Sequence, residues 1–192
     1  MDDLERMRLI LEIIVEANKL LGIINRTHLQ KLVYLLQEIK SVPLGYNFKM
    51  SYYGPHSEAL WGTLCGMRDL GIIDIKFCPQ PFKYTVSESK SVELKKFQKV
   101  VSVSSLDEGI AKYRKSYKDL IQLISQHQRG GTWCLELLGT THFVHKMLAL
   151  YKWQPSDKEI VSAVQDLKPH FTAENIERAL ATLRKDSLLN DP

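Results

Sequence analysis

His142 and His145 stand three positions apart in the stretch from Trp133 to Tyr151, with Cys134 and His127 close by in sequence. On a helix that spacing sets two imidazoles side by side, where they can share one metal ion. A metal centre needs more than two ligands. No neighbouring His-Glu-x-x-His or Glu-x-x-His pattern supplies the others or a general base. A buried helix also carries histidines whose ring nitrogens are simply hydrogen-bonded. The expectation is no metal and no cofactor, with an enzyme or metal protein built on this pair as a third reading. The Gly-x-Ser-x-Gly elbow, the phosphate-cradling P-loop and the dinucleotide fingerprint are all missing. The acids lie beside Lys or Arg, as in Asp157-Lys158-Glu159, the pattern of solvated helix faces rather than of a catalytic pair. The chain is read as having no enzymatic activity.

A second cluster is Tyr52-Tyr53-Gly54-Pro55-His56-Ser57. Two tyrosines, a rigid turn and a histidine converge before a helix start, where free N–H groups favour an anion or carboxylate. Together with Trp61 on the following helix, Tyr53 and His56 are the candidate partner-binding residues, since Tyr and Trp give large contact area at low entropic cost. The structural reading stands beside it: Pro55 fixes the turn, Ser57 caps the helix and one tyrosine packs inward.

Basic residues suggest a third surface. Residues 1–90 hold 11 basic and 10 acidic side chains, 91–131 hold 8 and 4, and 132–192 hold 7 and 8, so the positive excess sits in the middle. Lys76, Lys83, Lys112, Arg114, Lys115 and Lys118 are the candidates for phosphate contact if the partner is nucleic acid. A solvated helix face explains the same residues. The third helix, the expected reader of a major groove, offers Glu58, Trp61, Thr63, Arg68 and Asp69, a poor set for bases or phosphates.

These residues need elements to hold them. Ile10, Ile13, Ile14, Ala17, Leu20 and Leu21 recur at helical spacing between the caps Asp2 and Asp3 and the stop Gly22. Thr27-His28-Leu29-Gln30 reads as a capping box for a second helix running to about Lys40. Phe48, Met50 and Tyr52 alternate as a short strand, and Tyr53-Gly54-Pro55 reads as a turn. Ser57 caps a third helix that stops at Gly71, and its Gly62 and Gly66 are expected to permit close helix packing. Ile73, Ile75 and Phe77, then Phe82, Tyr84 and Val86, alternate around Cys78-Pro79-Gln80-Pro81 as a hairpin. Three helices followed by a hairpin is the order of a winged helix.

Residues 87–104 read as a boundary with one short helix. Beyond it, a stripe from Leu106 to Gln126, an apolar helix from Trp133 to Tyr151, and two capped helices after Ser156 and Thr172 make the second half all helical. The expected fold is therefore mainly α, with a winged-helix-like domain over residues 1–90 and a helical domain over 91–192.

Length and composition agree with this. The 192 residues allow one body or two domains of roughly 100 residues. With 44% hydrophobic and 25% charged residues, wholesale disorder is excluded. Cys65, Cys78 and Cys134 are odd in number and widely spaced, so neither a disulfide framework nor a zinc ribbon is expected. The acidic start MDDLERMR does not resemble an export signal, and charges interrupt the most apolar stretch, so a cytoplasmic chain with no membrane contact is expected.

The runs Thr27-His28-Leu29-Gln30-Lys31-Leu32-Val33-Tyr34-Leu35-Leu36-Gln37, Tyr53-Gly54-Pro55-His56-Ser57 and Leu70-Gly71-Ile72-Ile73 resemble the YwgA-like family of prokaryotic proteins. More distantly they resemble the Panacea or SocA-like antitoxin domain. Trp133-Cys134-Leu135-Glu136-Leu137-Leu138 with Thr141-His142-Phe143 extends the likeness to the YwgA-like group. The resemblance implies a cytoplasmic bacterial or archaeal protein with no established enzymatic activity, among relatives associated with toxin neutralisation or phage defence. Position 56 departs from the pattern, carrying His where an aromatic or aliphatic residue is expected. The leading expectation is a regulatory or antitoxin-like module that binds another protein; the alternative is a winged-helix DNA-binding regulator.

Overall fold

The computed structural model describes residues 1–22, 24–79, 83–101, 104–126, 132–151, 154–185 and 189, giving backbone alone at 83, 100–101 and 104–107. The elements run α1 (Asp3–Leu21), α2 (Arg26–Ile39), β1 (Lys49–Ser51), β2 (Gly54–His56), α3 (Glu58–Asp69), β3 (Ile73–Cys78) and β4 (Lys83–Glu88). They continue with α4 (Val92–Val101), α5 (Ser104–Gln126), α6 (Thr132–Tyr151), α7 (Asp157–Leu167) and α8 (Ala173–Lys185). The described chain is mainly helical, with two small two-stranded antiparallel sheets.

Caps set the helix starts. Asp2 and Glu5 form a reciprocal capping box at α1, and Ser156 and Glu159 form another at α7. Ser57 accepts from the Leu60 N–H at the start of α3. At α2 the cap is not Thr27 as the sequence pattern suggests. Asn25 accepts from the His28 N–H at 2.9 Å, and His28 Nδ1 accepts from the Asn25 N–H at 3.0 Å. Histidine thus takes the place that Glu or Gln occupies in the usual box.

Helix α2 is the axis of the fold. Every position from His28 to Leu36 is buried, because α5, α6, β2 and β4 all pack against it. Helix α1 lies along α5, and α6 is in turn held by α7 and α8. The buried apolar residues form one cluster from Leu9 to Leu189, so the core runs across the expected boundary near residue 90, between β4 and α4.

Between α2 and α3 the expected short strand forms as β1, but the turn does not fall where expected. Lys49–Ser51 pairs with Gly54–His56, with Met50 opposite Pro55, so Gly54 and Pro55 belong to a strand and the reversal falls at Tyr52-Tyr53. The β3–β4 hairpin forms as expected, with Ile75 opposite Val86 and Phe77 opposite Tyr84. Phe82, Gln80 and Pro81 lie outside the described residues. The hairpin hangs on the start of α2: the Val86 N–H donates to Ile24 O at 2.9 Å, Asn25 bridges Thr85, and Asn18 Nδ2 donates to Val86 O. A Cβ placed on Gly62 or Gly66 meets open space, so these glycines do not serve close packing.

Candidate functional site

Four elements converge on one cleft of about 410 Å³: the first turn of α2, the β1–β2 hairpin, the start of α3, and β4. Arg26, Lys31, Tyr53, His56, Glu58 and Tyr84 line it. Gln30 braces its frame, donating from Nε2 to Ser57 O at 3.0 Å and accepting the Ser57 N–H on Oε1 at 2.8 Å. That pair ties the middle of α2 to the cap of α3, so the two helices present their side chains in a fixed relation.

Of the sequence-predicted residues, Tyr53 and His56 line this cleft, and Trp61 adjoins it through Arg26. His56 Nε2 is 2.8 Å from Glu58 Oε1 and 3.4 Å from an Arg26 guanidinium nitrogen. The Arg26 guanidinium lies over the Trp61 ring at 4.4 Å, and Trp61 contacts the Tyr84 ring, which contacts Phe77. Tyr53 stands on the other hairpin with its ring edge-on to Tyr52. Tyr52 and Tyr53 are 82% and 56% exposed, and Phe77 and Tyr84 are 49% and 41% exposed. Two aromatic groups therefore flank the cleft, one on each hairpin.

Lys31 is the residue that sequence reasoning missed. It is only 2% exposed, yet it lines the cleft, and its Nζ donates to Pro55 O at 2.9 Å. Behind it, Lys168 Nζ sits 3.4 Å from Glu136 Oε1 and donates to Ser51 O. Burial lowers Lys31 from 10.5 to about 7; Glu136 opposes the shift, and Lys168 and Arg26 add to it. Periodicity places Lys31 beside the apolar stripe and suggests a solvated side chain. The only signal for its burial is its position inside a helix covered on all faces.

The histidine pair of α6 has a different occupation. His142 Nδ1 is 2.8 Å from the Tyr34 hydroxyl, and burial holds the imidazole near a pKa of about 4. Near neutrality the ring is uncharged, and its Nδ1 shares a hydrogen bond with the Tyr34 hydroxyl. Burial likewise pushes the Cys134 thiol up to about 11. Among the described residues no group of three or more His, Cys, Asp or Glu is placed to hold a metal ion; His127 lies outside them.

The basic candidates are dispersed. Lys76 is exposed on β3, and the side chain of Lys83 lies outside the described residues. Lys112, Lys115 and Lys118 are exposed on α5. Arg114 binds Glu12 through Nε at 3.1 Å and a terminal nitrogen at 3.0 Å, so it serves the α1–α5 contact. Among the described residues no helix is long and apolar enough to cross a membrane. Comparison of the chain with protein-family models found no match, and comparison with curated proteins found none either.

Proposed function

We propose that this chain is a cytoplasmic, non-enzymatic regulatory module of the antitoxin-like kind, which acts by binding another protein across the rim of the cleft. The observation that carries this reading is the set of exposed aromatics: Tyr52 and Tyr53 on one hairpin, Phe77 and Tyr84 on the other, with Trp61 against Tyr84. Exposed aromatics clustered around a polar centre make the usual anchors of a protein interface. Three cysteines without a disulfide fit a reducing compartment.

One observation favours a second reading, a winged-helix DNA-binding regulator. The β3–β4 hairpin is joined to the backbone just before α2 in the manner of a wing. Against it, the solvent face of α3 carries Glu58 and Asp69, and Arg68 is paired with Asp69 at 2.8 Å.

Affinity capture from the native host with tagged protein tests the first reading. The expected result is one enriched protein that is lost with Tyr53→Ala and weakened by His56→Ala and Trp61→Ala, at near-unchanged melting temperature for the first two. Capture that survives all three, alongside nanomolar sequence-selective duplex binding whose salt slope shrinks in Lys76→Ala, would put the second reading first.

A further inference from the structure

Lys31 carries three N–H donors on a nearly water-free side chain, and among the described residues only Pro55 O accepts from it. A buried ammonium left with unfilled donors is costly unless an acceptor of opposite charge completes it. The neighbouring carboxylates do not do so. Glu136 is engaged with Lys168 from behind, and Glu58 faces His56 at the rim. With Lys31 in its ammonium form, Arg26, Lys31 and Lys168 outnumber Glu58 and Glu136, so the site then carries a net positive charge before His56 is counted. Its volume of about 410 Å³ falls within the range of small-molecule sites, and Tyr53 and Tyr84 add ring faces to its wall.

We infer that the cleft is a binding site for a small anionic molecule, with a phosphate or carboxylate group seated on Lys31 and Arg26 and an attached ring against Tyr53 and Tyr84. Lys31 fixes the depth of the anion, and the Arg26 fork, held in place by the Trp61 ring, fixes its orientation. The inference rests on the cleft alone and holds whether or not a protein docks on the rim.

Binding also takes up a proton. Only ammonium-form Lys31 attracts the anion, and its lowered value of about 7 leaves that form partly populated near neutrality. The charged groups facing it are Arg26 on α2, Glu136 on α6, Lys168 after α7, His56 on β2 and Glu58 on α3. Among the described residues His56 is the one imidazole lining the cleft, so His56→Gln separates its contribution from that of Lys31.

Isothermal titration of the full chain with inorganic phosphate, adenosine 5′-monophosphate and indole-3-acetate tests the inference. The first two arms against the third distinguish a phosphate from a carboxylate source. At least one probe is expected to bind below about 1 mM, and at least tenfold more weakly to Lys31→Met. With indole-3-acetate, whose carboxylate stays ionised throughout, affinity is expected to rise roughly tenfold from about pH 8 to about pH 6 as Lys31 becomes fully charged, and to do so still in His56→Gln. Arg26→Gln, at the half-exposed rim, gives the same loss if Lys31→Met fails to fold. No binding by any probe, or binding to a folded Lys31→Met or Arg26→Gln within twofold of the parent chain, overturns the inference.

Discussion

A methyl group on Gly54 would stand 2.9 Å from Thr140 Oγ1 and 3.3 Å from Lys31 Cε, on a backbone with φ of +84°. Both constraints act together. An L side chain there is strained by its conformation alone, and Thr140 belongs to the backbone-rigid middle of α6. Gly54→Ala is expected to lower stability by about 2 kcal/mol or more, read by chemical denaturation, and to widen the cleft by pushing β2 away from α6. Unchanged stability would mean that the hairpin already moves freely on α6. At this scale the sequence was legible in part. Tyr53, His56 and Trp61 are recognisable because aromatic side chains beside a Gly-Pro pair attract notice in any loop. Lys31 is not, since a charged side chain reads as solvent-facing until the neighbours that bury it, over a hundred residues away in α6, are known.

Helix periods and caps carry most of what the sequence discloses about elements. The stripes of α1, α3 and α5 and the hairpin alternation of β3–β4 follow from local spacing, and the structure places them where expected. Of the β1–β2 hairpin only β1 was legible, in the alternation of Phe48, Met50 and Tyr52; β2 was not, because a three-residue strand containing Gly and Pro has little strand propensity. The cap of α2 was misplaced for a different reason: a histidine acting as the third member of a capping box has no place in the Ser/Thr-x-x-Glu pattern. That cap also reaches across the fold, since Thr132 Oγ1 lies 2.9 Å from His28 Nε2 and accepts from Asn25 Nδ2 at 3.3 Å. Asn25→Ala removes the acceptor for the His28 N–H and the contact with α6 together. A loss of about 1–2 kcal/mol is expected, measured by urea denaturation, with fraying at the edge of the cleft where Arg26 begins the helix.

Protonation couples the whole molecule to pH through groups the fold has buried. His142 titrates near 4 when folded against an ordinary 6.5, so below 6.5 the unfolded chain binds a proton that the folded one refuses. Stability is complete above 6.5 and falls as pH drops toward 4, by on the order of 3 kcal/mol. Glu12 adds to the loss at the acid end: burial raises it, but hydrogen bonds from Arg114, Arg8 and Tyr117 outweigh burial and hold it low. Lys31 acts on the other limb. Between about 7 and 10.5 the unfolded chain keeps a proton that folded Lys31 gives up, so stability rises with pH across that window. Denaturation series at several pH values should show both limbs, with Lys31→Met flattening the alkaline one alone; a flat profile from acid to alkaline would contradict both assignments.

Helix α2, covered by α6 on one side and α5 on another, imposes an order on biosynthesis. Tyr34 and its partner His142 are 108 residues apart, and at about 5–20 residues per second a ribosome needs roughly 5–20 s to deliver the second after the first. During that interval the apolar surface from Leu29 to Leu36 has emerged without the helix that covers it. Slowing translation between α2 and α6 is therefore expected to lower the yield of folded protein by lengthening the interval in which this surface is uncovered, and a co-expressed holding chaperone is expected to restore it.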